Sequence, residues 1–189
     1  MRHRVALSLA LLGLPLAAQD MTGGLQTGLT LPVGDLKDKS GLGTNQFFGA
    51  HIGGHLDFNL TSHHQVRAQL TFHELPGSEW GGGYDIDYKF LQIGADWVYS
   101  FQSPDQGWYT IAGASINSVK AEVSGGGFSG SASQSGKIGI RGGGGFTFSK
   151  SFSLEGTLNQ VMVDKNGADG LGYDTATWLQ VSAVFRFGR

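Results

Sequence analysis

Apolar and polar residues alternate along most of the chain. In the C-terminal stretch LQVSAVFRFGR, every second residue from Leu179 to Phe187 is apolar, whereas Gln180, Ser182 and Arg186 lie between them. Successive side chains of a β-strand point to opposite faces, so this pattern predicts a strand with one apolar face.

Seven earlier segments show the same period of two. In WYTIAGASINSV the parity that holds Ala112, Ala114 and Ile116 is favoured as the apolar face, because the other parity would place Ser115 and Asn117 there. No helical period follows the first twenty residues, so the pattern predicts an all-β chain. The other apolar faces are Leu25, Thr27, Leu29, Leu31; Phe48, Ala50, Ile52, Leu56, Phe58, Leu60; Val66, Ala68, Leu70, Phe72; Leu91, Ile93, Ala95, Trp97, Tyr99, Phe101; Ile138, Ile140, Phe146, Phe148; and Phe152, Leu154, Leu158, Met162.

The connections between these segments alternate between short and long. TSHH, SPDQG and SKS follow the second, fourth and sixth segments, whereas PVGDLKDKSGLGTN, LPGSEWGGGYDIDY, AEVSGGGFSGSASQS and DKNGADGLGYD follow the first, third, fifth and seventh. Tight turns at one end and long loops at the other are typical of adjacent antiparallel strands. The sequence therefore predicts an eight-stranded antiparallel up-and-down β-barrel.

Aromatic residues cluster beside the short turns on the apolar parity. Such a ring of aromatics is typical of a membrane interface, which favours a transmembrane barrel with its apolar face towards lipid. The alternative is a soluble calyx of the lipocalin type, with the apolar parity inside and the charged parity outside. The predicted girdle consists of Phe58, Tyr99, Phe101, Trp108, Phe146, Phe148, Phe152, Phe185 and Phe187.

The N-terminal segment MRHRVALSLALLGLPLAAQD has the organisation of a secretory signal peptide. Arg2 and Arg4 precede an apolar run over residues 5–16, and Ala17-Ala18 supplies small residues for cleavage. The apolar run is about a dozen residues long, shorter than the ~20 that a spanning helix needs. We predict a signal peptide over residues 1–18 and a barrel over residues 19–189.

Composition narrows the partners and the chemistry. Charged residues make up 15% of the chain, against roughly 25% in ordinary soluble domains, and the formal net charge is −2. We therefore expect no nucleic-acid partner. The chain has no cysteine, which excludes disulfides and thiolate metal sites.

Together, the alternating segments, the connections, the girdle and the C-terminal VFRF resemble the small outer-membrane β-barrels of Gram-negative-type bacteria, of the OmpX, OmpW and OmpA-barrel kind. The resemblance implies an outer-membrane location and contact with membrane lipid and lipopolysaccharide. It also implies that the barrel-assembly machinery recognises Phe185 and Phe187 in the last strand, although Gly188-Arg189 follows here. Because the sequence stops at the barrel, we expect no peptidoglycan-binding domain of the OmpA kind.

The predicted inner face is polar and partly charged. If the TSHH turn pairs Leu60 with His64, Asp57 lies opposite Arg67 and His51 lies opposite His73. The favoured interpretation is a structural network that pairs charges away from water; the alternative is an ion or proton path. The residues predicted for the network are Asp57, Arg67, Asp96, Arg141, Glu155 and Arg186.

No metal, cofactor or catalytic site is predicted. His51 and His55 are about 13 Å apart along a strand, too far for one ion, and His51 with His73 lacks a third ligand. The stretch DKNGADG at 164–170 misses the spacing of a calcium loop by one residue, so a plain turn is favoured.

The leading functional hypothesis is a non-enzymatic, structural or surface-exposed barrel with a filled lumen and an unidentified partner at its long loops. One alternative, implied by the resemblance to OmpW-type barrels, is a narrow conduit for small hydrophobic molecules. It is supported by the apolar residues on the upper inward parity, Val119, Val161, Val163 and Trp178. Another is a lipid-modifying enzyme similar to the palmitoyltransferase or deacylase barrels, which place a His and a Ser at the outer rim; His73 and Ser78 lie near that rim, but no motif fixes them together. The second long loop carries acidic and aromatic residues that could contact a partner: Glu79, Trp80, Tyr84, Asp85, Asp87 and Tyr88.

Overall fold

The computed structural model describes residues 21–37, 48–77, 83–166 and 170–187, so the predicted signal peptide lies outside the described residues. Each strand pairs with the next along the chain, and the last pairs with the first, which closes an antiparallel barrel. The strands are β1 Met21–Val33, β2 Gly49–Asn59, β3 His64–Leu75, β4 Tyr84–Ser100, β5 Gly107–Gly125, β6 Phe128–Ser149, β7 Phe152–Met162 and β8 Thr175–Phe187. The predicted fold class is confirmed.

The register between β2 and β3 is the predicted one. Asp57 lies opposite Arg67, and His51 lies opposite His73. Strand β8 closes the barrel by pairing Phe185 with Leu25 of β1. Because a slip of one residue would turn every side chain to the other face, this register determines which residues enter the lumen.

The two parities separate as expected for a barrel in lipid. Large side chains of the predicted apolar faces point outward, and Ile93 and Ile138 are 59% and 63% exposed. Polar side chains point inward, and Gln26 and Arg67 are both completely buried. The soluble calyx would require the opposite arrangement, so that alternative is wrong.

Two predicted long loops are partly strand. The stretch AEVSGGGFSGSASQS, expected to be a loop, continues β5 and β6 as one hairpin around Gly126 and Gly127, both at positive φ. Likewise β4 begins at Tyr84, inside the predicted second loop. Small and polar residues can form the backbone hydrogen bonds between paired strands but provide no apolar face. The alternation of apolar and polar residues is therefore absent there. Among the described residues, no helix is long and apolar enough to span a membrane.

Candidate functional site

The lumen holds a network of ionised side chains near the short turns. Arg67 is completely buried and lies between two carboxylates. Its Nε donates to Asp57 Oδ1 at 2.8 Å, and its Nη1 donates to Glu155 Oε2 at 2.7 Å. Charge-assisted bonds of this kind are the strong ones, and burial requires that each charge be matched.

Two further arginines complete this network. Arg141 Nη2 donates to Glu155 Oε1 at 3.0 Å, and its Nε lies 3.6 Å from Asp96 Oδ1. Arg186 Nε donates to Asp57 Oδ2 at 3.3 Å. The structure thus brings together all six residues predicted for the network, from six different strands, and their three positive and three negative formal charges cancel.

Tyr109 belongs to the same cluster, although the sequence did not single it out. Its hydroxyl donates to Glu155 Oε2 at 3.2 Å, and the Arg186 guanidinium lies 5.9 Å from the centre of its ring. The ring fits because Gly145 has no side chain; a Cβ there would overlap the Tyr109 ring and hydroxyl. The inward parity of β5 was the available signal, but nothing in the sequence identified this contact across the strands.

A second polar layer connects β8, β2, β1 and β3 through hydrogen bonds. Gln180 Nε2 donates to Ser182 Oγ at 3.0 Å, and Ser182 Oγ lies 2.9 Å from His51 Nε2. Thr30 Oγ1 then lies 3.2 Å from His51 Nδ1 and 2.9 Å from His73 Nδ1. When Ser182 donates to His51, His51 donates to Thr30, and Thr30 donates to His73, each of these three contacts has one donor and one acceptor. Both imidazoles are then neutral.

This layer does not resemble a metal centre or a rim active site. In the described part of the chain, no group of three His, Cys, Asp or Glu side chains could hold a metal ion. His73 is completely buried in the lumen, with its ring edge-on to Trp178 at 5.4 Å. His73 is two residues from the end of β3, but its side chain points into the lumen, and Ser78 lies outside the described residues.

The end of the lumen nearer the long loops is filled by a buried apolar cluster. Trp178 and Phe90 pack at 4.9 Å between ring centres, and Leu36 of the short 3₁₀ turn Gly34–Leu36 is completely buried with them. The four residues considered for a hydrophobic conduit belong to this packed cluster. Its members are Leu36, Leu75, Ile86, Tyr88, Phe90, Val119, Ala121, Val161, Val163, Leu171, Tyr173, Ala176 and Trp178.

The second-loop residues considered for partner binding differ from one another in how buried they are. Tyr88 is completely buried and stacks on Phe90, so it is not available to a partner. Asp85 and Asp87 are half-buried, and Asp87 Oδ1 accepts a hydrogen bond from Gly77 N. Glu79 and Trp80 lie outside the described residues. The backbone of Tyr84 is in β4.

The predicted girdle residues lie around the short-turn end. A continuous row of rings runs from Trp108 through Phe146, Phe148 and Phe152 to Phe185, with neighbouring centres 4.9 to 5.8 Å apart. Of the other four girdle residues, Tyr99 and Phe101 are in contact, with ring centres 5.3 Å apart. Phe58 and Phe187 lie on the outer face.

On the outer face of the described strands, charged side chains appear only beyond the apolar residues. On β4 the outward residues from Tyr99 to Leu91 are uncharged, and Lys89 follows. Lys89 lies directly opposite Lys120 of β5, and both donate to Glu122, at 2.6 and 2.5 Å. The apolar band between this charge cluster and the girdle defines the part of the barrel in contact with lipid.

The Glu122 carboxylate is expected to stay ionised in mild acid. Hydrogen bonds from Lys120 and Lys89 lower the pKa of Glu122 from 4.5 to about 2. Since the pKa is lower in the folded chain, the interaction stabilises the barrel above about pH 4.5, and this stabilisation is lost as the pH falls towards 2. An NMR titration of the Glu122 side-chain carbon measures this pKa.

Lys120→Gln should raise the Glu122 pKa towards 4.5, because it removes one of the two donors. Lys150→Gln, a change at the opposite end of the barrel, should leave the pKa where it is. A wild-type pKa near 4.5 would show that the two lysines do not hold the carboxylate in solution.

Comparison with solved structures shows the same fold at low sequence identity. The attachment invasion locus protein Ail of Yersinia pestis has a TM-score of 0.57 and 14% identity, over 89% of this chain and 100% of Ail. The N-terminal β-barrel domain of Pseudomonas aeruginosa OprF has a TM-score of 0.55 and 14% identity, over 89% of this chain and 98% of that domain. Neisserial surface protein A has a TM-score of 0.52 and 13% identity, over 89% and 96% of the two chains.

The comparison with curated proteins found no match to this chain. A family model described as the outer membrane protein beta-barrel domain matches residues 5–187. That match spans nearly the whole chain and agrees with the closed antiparallel barrel and its outward apolar band. The chain belongs to the family of outer membrane protein β-barrel domains.

Proposed function

We propose that this outer-membrane barrel is a non-enzymatic protein with a sealed lumen, and that its function resides on its cell-surface end. The observation that carries the proposal is the filling of the lumen. An ionic network occupies the short-turn end, hydrogen-bonded polar side chains occupy the middle, and a buried apolar cluster occupies the other end. Eight-stranded barrels are narrow enough for side chains to fill them.

The non-enzymatic proposal is supported by the position of the one serine–histidine contact described above. Ser182 and His51 are in hydrogen-bond contact, but both are buried inside the lumen, below the apolar cluster. A lipid substrate would have to reach them through the barrel wall. Within the described residues the contact therefore acts as a cross-link between β8 and β2, in the role that buried polar pairs commonly have.

The orientation follows the usual asymmetry of such barrels, with short turns in the periplasm and longer segments outside. The cell-surface end then carries the β5–β6 hairpin, the charge cluster of Lys89, Lys120 and Glu122, and the longer connections. We propose that these segments contact lipopolysaccharide and a partner outside the cell. One of the similar structures, Ail, was solved in complex with the heparin analogue sucrose octasulfate, so ligand binding has a precedent in this fold.

Export and insertion are proposed to use the two ends of the sequence. Residues 1–18 act as the cleaved signal peptide, and the barrel-assembly machinery recognises the aromatic residues near the end of β8. Phe185 and Phe187 support this role because they point outward, 42% and 57% exposed, at the seam where β8 pairs with β1. The nine aromatic residues of the girdle then lie at the periplasmic interface.

The sealed lumen predicts that the purified barrel conducts no stepwise ionic current in a planar lipid bilayer. Heating before SDS gel electrophoresis provides the control for folding, because a closed transmembrane barrel changes its mobility only when it is denatured. Folded protein with no current supports the proposal. Regular single-channel steps from heat-modifiable protein would contradict it and support the conduit or ion-path alternatives.

A further inference from the structure

A shallow apolar groove of about 520 Å³ lies on the outer surface of β5 to β8 at the short-turn end. Its floor contains Gly144 and Gly156, which lie directly opposite each other on neighbouring strands. Trp108 and Phe146 form its edge, in edge-to-face contact at 5.0 Å. Its volume lies within the roughly 300–1,000 Å³ typical of small-molecule sites.

The groove exists because side chains are missing where the rest of the band has bulky ones. A Cβ built at Gly156 would meet no atom within 4 Å, so the space above it is open. The neighbouring outward positions carry Leu154 and Leu158, which are 45% and 52% exposed. A single elongated apolar group can therefore lie between these side chains and against the glycine backbone.

A positive charge lies at the periplasmic side of this groove. Phe148 lines the groove, and Lys150 follows two residues later in the turn between β6 and β7. The Lys150 side chain is 70% exposed, with its Nζ 3.9 Å from Asp105 Oδ2. An ammonium group at this level is placed to meet a lipid phosphate.

We propose that one glycerophospholipid of the periplasmic leaflet binds at this site, with an acyl chain in the glycine groove and its phosphate at Lys150. The groove is continuous with the lipid-contacting band, which makes a hydrocarbon chain the occupant it fits. Because an unfilled groove loses dispersion contacts on one side, a seated chain gains contacts that a disordered neighbouring chain does not have. Lipopolysaccharide would occupy the opposite leaflet, away from Lys150.

Fluorescence quenching by bromine-labelled lipid tests the site in the folded barrel. The probe is phosphatidylglycerol with brominated acyl chains, titrated into detergent micelles that contain the protein. Trp108 lines the groove and is 64% exposed, whereas Trp97 is 47% exposed on the outer face of β4, outside the groove. Trp178 is completely buried in the lumen and contributes a constant background.

Two reporter proteins separate the signals, one with Trp80→Phe and Trp97→Phe, the other with Trp80→Phe and Trp108→Phe. Trp108 fluorescence is expected to fall along a saturable curve that ends at one lipid per barrel. Trp97 fluorescence is expected to follow only the mole fraction of brominated lipid in the micelle. Identical curves for the two reporters would overturn the proposal.

Gly156→Leu in the Trp108 reporter fills the groove and is expected to abolish the saturable component. Ala114→Leu is the matched control, since Ala114 is also an exposed outward residue but does not line the groove. Lys150→Gln should weaken binding about threefold, the effect of an exposed ion pair. Loss of saturation in Gly156→Leu alone supports the site, and equal loss in Ala114→Leu overturns it.

A second copy of the barrel is the competing occupant of the groove. Cross-linking of the same samples distinguishes it, because a protein dimer depends on barrel concentration rather than on lipid. A dimer that disappears in Gly156→Leu, with no saturable lipid quenching in the wild type, would overturn the lipid proposal. Unchanged quenching in both Gly156→Leu and Lys150→Gln would overturn it as well.

Discussion

Arg67→Met is expected to lower the free energy of unfolding by about 3–5 kcal/mol, the cost of breaking a buried ion pair from one side. Arg67 is completely buried and donates to both Asp57 and Glu155. Methionine retains much of the volume but leaves the network with three carboxylates and two guanidinium groups. Equilibrium unfolding in urea, measured on barrels folded in lipid vesicles, gives the difference in free energy.

The double variant Arg67→Met/Glu155→Gln tests whether charge balance causes this loss. Removing Glu155 together with Arg67 restores equal numbers of positive and negative groups, so the double variant should be more stable than Arg67→Met alone. Lys165→Met serves as the matched control for removing a cation, because Lys165 is exposed outside the lumen, and its effect should stay within about 0.5 kcal/mol. A loss near zero for Arg67→Met, or a double variant with fully additive losses, would contradict a structural role for the network.

The positions within each strand that face lipid or lumen could be predicted from the sequence because they depend on a period of two. The pairing of Asp57 with Arg67 also followed, since a short turn fixes the register of the two strands it joins. The six charged residues of the network could be named for the same reason: they are the ionised side chains on the inward parity near the short turns.

Contacts across the lumen could not be predicted, because they depend on the curvature of the whole barrel. Arg67 and Glu155 are 88 positions apart in the sequence and on strands that do not pair with each other. The same holds for His51 and Ser182, which are 131 positions apart. Parity places such side chains inside the barrel but gives neither their height nor their angle around its axis.

The extension of β5 and β6 beyond the membrane was also missed, for a different physical reason. Strand residues in contact with lipid must be apolar, which produces the alternation; strand residues in water need only satisfy their backbone hydrogen bonds. Residues 118–135 carry serine and glycine on both faces, so they have strand geometry without a strand pattern. The cell-surface part of the molecule is therefore the part for which the sequence is least informative.

Ile93→Arg is expected to destabilise the inserted barrel by about 2–4 kcal/mol, the cost of an arginine at the bilayer midplane on the lipid face of a barrel. Ile93 is 59% exposed on the outer face of β4, about midway between the girdle residue Tyr99 and Lys89 of the charge cluster. The loss arises because the guanidinium must either be desolvated or draw water into the bilayer. Urea titration in vesicles of defined lipid measures the loss.

Phe128→Arg is the matched control, because Phe128 is 61% exposed but lies at the tip of the β5–β6 hairpin, beyond the apolar band. The same change in side chain should therefore cost about 0–1 kcal/mol there, since the penalty falls with distance from the midplane. Ile93→Leu, which keeps the apolar character, should be close to neutral. Equal losses for the two arginine variants would mean that Ile93 and Phe128 have the same surroundings, and would contradict the position assigned to the band. A large loss at Ile93 alone would locate the hydrocarbon core on β4 and, through the pairing of β4 with β5, the depth of the groove that begins on β5.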